Sequence, residues 1–471
     1  MKENEILINR ANELRWELGE TLHDSLLESI YKDAAEISKK TVKSFGDKES
    51  YAFDIKLDKI LTSKLYGFPI MFILLAFVFW ITIVGANVPS AFIASILLDT
   101  VHPWLKSLSY SIGLPFFIDG VLLDGAYLSM AWVIAVMLPP MAIFFPMYTL
   151  LEDFGYLPRV SFNMDSLFRK AGAHGKQALT MAMGFGCNAA GVVAARVIDS
   201  PRERLLAIIT NNFSLCNGRW PTQILIASIF IGSLAPPYLA GLASAAAVVS
   251  VALLGIILSL VVSYSLSKTA LKGEASAYSL ELPPYRPPRI MQTLYTSLID
   301  RTIFVLWRAI VFAVPAGIVI WLVANITIEG SSLAQIFIEW SNPFGLLIGL
   351  NGVILLAYII AIPANEIVIP TVLMLTVLSA GLTGVGEGSG VIFELSSIQD
   401  TAIILHAGGW TALTGICLML FSLLHNPCST TIYTIYKETR SIKWTVFSTV
   451  MPLIMGIVVC FFVAQIWHII S

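Results

Sequence analysis

Charged side chains are scarce in this chain: Lys, Arg, Asp and Glu make up 13% of its 471 residues, about half the share of a soluble domain. Together with 56% hydrophobic residues and a mean hydropathy of +0.78, that scarcity excludes a soluble globular fold and points to a polytopic membrane protein. A net charge of -2 argues against a nucleic-acid partner, because neutralising phosphates takes a basic surface. No Gly-x-x-x-x-Gly-Lys-Ser/Thr loop occurs, so the chain has no backbone cradle for nucleotide phosphates, and no His-Glu-x-x-His or paired-carboxylate motif marks a metal-dependent enzyme. The expectation is a transporter rather than an enzyme. Cysteine is limited to Cys187, Cys216, Cys417, Cys428 and Cys460, all in or beside apolar sequence. Their odd number and scattered spacing do not build a disulfide framework and fit reduced thiols. A cleavable leader is not expected either, since the first long apolar run begins only at Tyr66, after heavily charged sequence.

What is present falls into two parts. Residues 1–57 form a polar helical segment in which Leu14, Leu18, Leu22, Leu26 and Ile30 recur every four residues among charges, one apolar stripe on a solvated helix. Acids and bases there are nearly balanced, so the stripe suits a protein surface better than anionic lipid; that surface is either a partner or the chain's own membrane domain. Residues 58–471 supply apolar stretches near the 20 residues a membrane helix needs, free of Lys, Arg, Asp and Glu except for Arg219: 66–88, 125–151, 205–232, 238–267, 309–328, 344–363, 367–382, 401–424 and 444–470. An all-α fold of about 8–10 membrane segments is expected, some of them broken or re-entrant.

Lysine and arginine orient these segments. Basic loops remain cytoplasmic, and residues 177–195 have basic loops at both ends, 159–176 and 196–204. That segment is expected to dip in and return. Residues 268–301 and 437–443 read as cytoplasmic, residues 381–400 as external, and the N-terminus as cytoplasmic. Residues 344–382 are then expected to form either a pair of short spans or a second dip broken at Pro363-Ala364-Asn365-Glu366. Two dips entering from opposite faces would form an inverted pair, with repeats at about 120–267 and 301–471 and a substrate site where they meet.

The residues at these interruptions carry the chemistry. Cys187 follows two glycines and precedes Asn188, and Cys216 sits beside Asn217 and Gly218. Thiolate with amide oxygen is a reasonable ligand set for Fe²⁺, although free cysteine also packs as a small hydrophobe. Glu366 has no other charge within about 20 residues, and an ionisable group at that depth costs at least about 2.5 kcal/mol unless paired or solvated. It is either a carboxylate ligand for a divalent cation or an anchor for the broken helix. Cys428, in His425-Asn426-Pro427-Cys428, lies where proline disrupts a helix and frees a carbonyl. His425 is a further nitrogen ligand or a packing residue. Glu152 and Asp153 either hold the loop near Arg159 or form a cation vestibule. Cys417 and Cys460, in unbroken apolar runs, read as packing.

The segments Leu150-Leu151-Glu152-Asp153-Phe154-Gly155-Tyr156, Gly186-Cys187-Asn188 and Cys216-Asn217-Gly218-Arg219-Trp220-Pro221, in that order, resemble the membrane domain of the FeoB ferrous-iron transporter family. Pro427-Cys428, Lys437-Glu438-Thr439 and Lys443-Trp444 extend the resemblance. It implies Fe²⁺ as substrate, no bound cofactor, gate-type repeats and a location in the cytoplasmic (inner) membrane. Cys187, Asn188, Cys216, Cys428 and Glu366 would be the metal ligands. Family members begin with a GTP-binding domain, so the resemblance also implies a separate GTPase that docks on residues 1–50. The family usually has a proline two residues after its Gly-Cys-Asn, where this chain has Ala189-Ala190. Two other readings remain open: a gate-type protein for a nucleoside-like solute or another divalent metal, and a regulatory subunit that transports nothing. Sequence alone does not choose between a monomer and a homo-oligomer.

Overall fold

The computed structural model describes residues 21–41, 48–63, 65–272, 285, 289–328, 330–382, 391–393, 395 and 397–470. Two polar helices, α1 (Thr21–Thr41) and α2 (Lys48–Leu61), precede two long apolar ones, α3 (Gly67–Ile112) and α4 (Phe116–Asp153). Short helices follow: α5 (Tyr156–Lys170), α6 (Gln177–Gly186), α7 (Asn188–Ala194), α8 (Pro201–Thr210) and α9 (Trp220–Leu234), and then the span α10 (Ala240–Lys268). The chain continues through α11 (Ile290–Asn325), α12 (Leu333–Leu347), α13 (Gly352–Ile360), α14 (Asn365–Ala380), α15 (Ile398–Ala407), α16 (Ala412–Leu424), α17 (Ser429–Thr439) and α18 (Ile442–Ile470). Among the described residues the only strands are Thr327–Ile328 and Ser331–Ser332, one small antiparallel pair. The protein is therefore an all-α polytopic membrane protein. Among the described residues, six helices are long and apolar enough to cross a bilayer, counting α16 and α17 together, and α12 with α13 forms a further pair bent by 109°.

Element lengths recur along the chain. The helices α4, α5, α6 and α10 have 38, 15, 10 and 29 residues, and α11, α12, α13 and α18 have 36, 15, 9 and 29. The leading helices of the two series, α4 and α11, touch through small residues. A Cβ on Gly317 would fall on the Gly125 carbonyl and the Ser129 side chain, so the backbones approach as closely as only glycine permits. Buried Ala309, Ala313 and Ala316 continue the contact face of α11.

Three expected spans are interrupted. Residues 205–232 divide at 211–219, where the buried Asn211 and Asn212 amides donate to the distant Asn188 and Ser448 carbonyls (2.8 and 2.9 Å). Residues 344–363 turn at Gly349, φ 70°, and residues 401–424 turn at Gly409, φ 77°. Residues 177–195 dip in and return: Lys176, just before α6, donates to the Val197 carbonyl (3.0 Å) and pairs with Asp199 (2.8 Å), just beyond α7. Both ends of this hairpin lie at one face.

Polar contacts fasten the edges. Arg159 of α5, 1% exposed, forks onto Asp58 of α2 at 3.0 and 3.3 Å, donates to the Gly155 carbonyl, and lies over the Tyr285 ring. Tyr285 donates to the same carboxylate at 2.6 Å. Burial opposes the charge on Asp58, but Arg159 and Tyr285 hold its carboxyl below the usual range. At the far end of α3, His102 contacts Asp124 (3.1 Å), and Lys106 bridges Asp119 and Asp124 (both 2.6 Å). Leu14 and Leu18 lie outside the described residues, as do 273–284 and 383–390; within α1, Ile30, Tyr31 and Ile37 are exposed.

Candidate functional site

Four breaks meet at one cavity. Between α6 and α7, Cys187 is extended (φ -152°, ψ 122°), and before α14 Ala364 has almost the same backbone (φ -149°, ψ 119°). The other two lie between α8 and α9, at residues 214–219, and between α16 and α17, at residues 425–428. The cavity, about 30 Å³, is lined by Cys187, Asn188, Cys216, Asn217, Glu366 and Cys428, with Gly218, Asn365 and Thr431 beside them. Met137 and Met141 of α4 form one wall, and Val305 and Ala309 of α11 another. Room of this size holds a water or a single small ion.

The two series of helices interlock here. The Asn365 amide approaches the Cys216 thiol at 3.9 Å. Glu366 packs on Gly218 so closely that a Cβ there would overlap its carboxylate. Cys428 contacts the Thr431 hydroxyl at 3.2 Å. Among the described residues, no three His, Cys, Asp or Glu side chains are close enough to close round one ion in this conformation.

Backbone carbonyls at the breaks are largely taken by protein donors. Asn217 N bonds the Gly186 carbonyl (3.1 Å), Ser429 N bonds that of Ile362 (2.9 Å), and the Asn211 amide bonds that of Asn188 (2.8 Å). The Asn188 amide nitrogen, turned to satisfy its donors, reaches the carbonyls of Gly184 (3.0 Å) and Ser214 (3.2 Å). Arg219, 1% exposed, spans the two series: it donates to the carbonyls of Asn212 and Leu423 (both 3.1 Å) and of His425 and Asn426 (both 3.5 Å).

Other expected residues sit elsewhere. His425 stands behind the cavity wall, with one ring nitrogen on the Ser422 carbonyl (2.9 Å) and the other on Asn365 (3.1 Å). Glu152 faces Arg301 at 3.5 Å, and Asp153 accepts from Thr293 at 2.6 Å, both away from the cavity. Arg159 is held by Asp58 instead of by this pair. Cys417 and Cys460 are fully buried against each other between α16 and α18, where the Cys460 thiol donates to the Cys417 carbonyl (3.3 Å). Sequence reasoning passed over Arg219, Asn211 and Asn365. A buried arginine in an apolar chain was the available signal for the first of these.

A helical membrane protein whose interrupted segments converge on a small thiol-lined and carboxylate-lined cavity is the class that fold and site define. Comparison places it more closely: residues 134–230 match the Gate family model, described as "Nucleoside recognition", and residues 248–300 match "Ferrous iron transport protein B C terminus". The Fe(2+) transporter FeoB of Staphylococcus aureus (strain MSSA476) is 29% identical over 464 residues, which is 95% of this chain and 63% of that protein. Those of Synechocystis sp. (29%; 84% of this chain, 60% of the relative) and Methanocaldococcus jannaschii (27%; 98% and 65%) are similar in the same way. The chain is thus a relative of the Fe(2+) transporters FeoB along nearly all its length, and it spans less than two thirds of theirs. No solved structure matches.

Proposed function

We propose that the chain moves Fe²⁺ across the cytoplasmic membrane through the cavity between its broken helices. One observation carries this reading: Cys187, Cys216, Cys428 and Glu366, far apart in sequence, line one space the size of an ion. Sulfur and carboxylate together suit a borderline cation. The kinship with Fe(2+) transporters supports the same choice. A nucleoside-like solute, which the Gate description brings to mind, is disfavoured because small-molecule pockets usually take several hundred Å³. Loading an ion requires the four side chains to close further than they do here.

The recurring element lengths support gate-type repeats at about 120–267 and 301–471, with the α6–α7 hairpin and the α13–α14 break as an inverted pair. The basic residues at the open end of α6 and α7 support a cytoplasmic face there and a cytoplasmic N-terminus. These 471 residues contain no phosphate-binding loop, and in this reading nucleotide hydrolysis belongs to a GTPase outside them that docks on the N-terminal helices.

Uptake of radiolabelled Fe²⁺ by cells expressing the chain tests the assignment. Cys187→Ser and Glu366→Gln should each lower uptake about tenfold or more, the loss typical when support for a metal site is removed. Cys417→Ser should leave it nearly intact at equal membrane abundance. If both cavity variants transport like the parent while Cys417→Ser does not, the breaks are structural and the site lies elsewhere.

A further inference from the structure

We propose that Arg219 is a specificity-determining residue that acts by occupying backbone oxygen, leaving side-chain sulfur and carboxylate as the donors a cation meets. The inference rests on the Fe²⁺ reading above and adds what makes the site choose. At interrupted membrane helices, unwound carbonyls and helix C-terminal ends are the usual hard ligands for small cations. Here several of the backbone oxygens at and just behind the breaks already have protein donors. Arg219 accounts for the largest share, reaching three carbonyls where α16 ends and one where α8 ends. Those of Gly186, Ile362 and Asn188 are held by Asn217, Ser429 and Asn211.

A guanidinium is suited to this work, with five donors in a planar fork and a charge that it does not lose. A fixed positive charge beside a cation site is unfavourable, so its place there sets a cost against the tie it makes between the two series. Two of its acceptors, His425 and Asn426, lie three and two residues before Cys428, which lines the cavity. Without the guanidinium, their carbonyls become free to turn toward an ion. Carbonyl and carboxylate oxygen suit Mg²⁺, Ca²⁺ and Mn²⁺, whereas sulfur suits softer metals. Arg219 thereby biases the site against hard cations.

The decisive measurement is equilibrium binding of Fe²⁺ and of Mn²⁺ to the purified full chain under anaerobic, reducing conditions. Removing a positive charge strengthens every divalent cation, so the readout is the ratio of the two affinities. In Arg219→Gln the Mn²⁺/Fe²⁺ ratio should rise about tenfold, a shift of about 1.4 kcal/mol in selectivity. In Arg219→Lys, which keeps the charge but loses the fork, it should rise less. Gln223→Ala removes a side chain that donates to the Met419 carbonyl of the same α16 and should leave the ratio unchanged. A ratio unaltered in both Arg219 variants, with Fe²⁺ still bound by the parent, overturns this role and leaves the Fe²⁺ reading standing. A parent that binds no Fe²⁺ overturns both. Should the Arg219 variants fail to accumulate, Co²⁺ bound to the parent decides: a sulfur-to-cobalt charge-transfer absorption is expected, and bound Co²⁺ without it refutes a sulfur-dominated donor set.

Discussion

Cys187 and Ala364 share nearly the same backbone, yet the first pair of breaks, at Cys187 and Cys216, and the second, at Ala364 and Cys428, are built by opposite means. In the first, glycine opens the helix and asparagine fills the gap. Asn211 wedges its side chain between Gly184 and Gly191, where a Cβ on either glycine would overlap its Oδ1. In the second, Pro363 and Pro427 remove donors, and Val368 stands three residues beyond Asn365 where Gly191 stands three beyond Asn188. A gap propped by a side chain depends on that side chain. A gap enforced by proline is built into the backbone.

The comparison breaks most visibly at Gly191. Gly191→Ala should cost about 1–3 kcal/mol by overpacking, read as a lowered unfolding temperature in detergent. Most of that cost should vanish in an Asn211→Ala background, where the methyl group finds room. An equal loss in both backgrounds would mean that Asn211 is no wedge. Next in size, Asn211→Ala alone leaves the buried Asn188 carbonyl without its donor and should cost about 1–2 kcal/mol, whereas Pro363→Ala should cost less because no buried partner is stranded. Equal costs would erase the contrast between the two pairs.

The smallest effect should come from the contact that joins the two series at the surface. Arg196, just after α7, forks onto Glu438 at the end of α17 at 2.8 and 2.6 Å, with the arginine side chain 60% exposed. Exposed pairs contribute about 0.2–1 kcal/mol; with the Glu438 side chain only 9% exposed, a double-mutant cycle on Arg196→Ala and Glu438→Ala should fall at the upper end of that range. A coupling several times larger would move the main tie between the series away from Arg219.

Much of this was readable in the sequence. The glycines, prolines and asparagines at residues 184–188, 216–218, 363–366 and 426–428 mark where the helices stop, because each alters local backbone options whatever the distant packing. Cys187, Cys216, Glu366 and Cys428 stood out for the same reason. What could not be read was which groups reach across: Arg219 bonds Leu423, 204 residues away, and Arg159 finds Asp58, 101 residues away. The break expected at 216–218 begins already at residue 211, where the Asn211 and Asn212 amides bond carbonyls of distant segments, those of Asn188 and Ser448.

The helix α3 has 46 residues, about 69 Å at 1.5 Å per residue, against about 30 Å of hydrocarbon. Even steeply tilted it outruns the bilayer, and the residues where it would emerge include Asp99, His102 and Lys106. The hairpin it makes with α4 is therefore long enough to carry its knot of opposite charges to the lipid surface, while Tyr110, Ile112 and Phe116 at its tip stay exposed. At its tip Gly113 turns the chain at φ 72° with open space round the position of a Cβ. A short epitope spliced in at that turn would touch nothing else in the fold, giving a flag by which antibodies could tell, on intact cells, which way the molecule is planted.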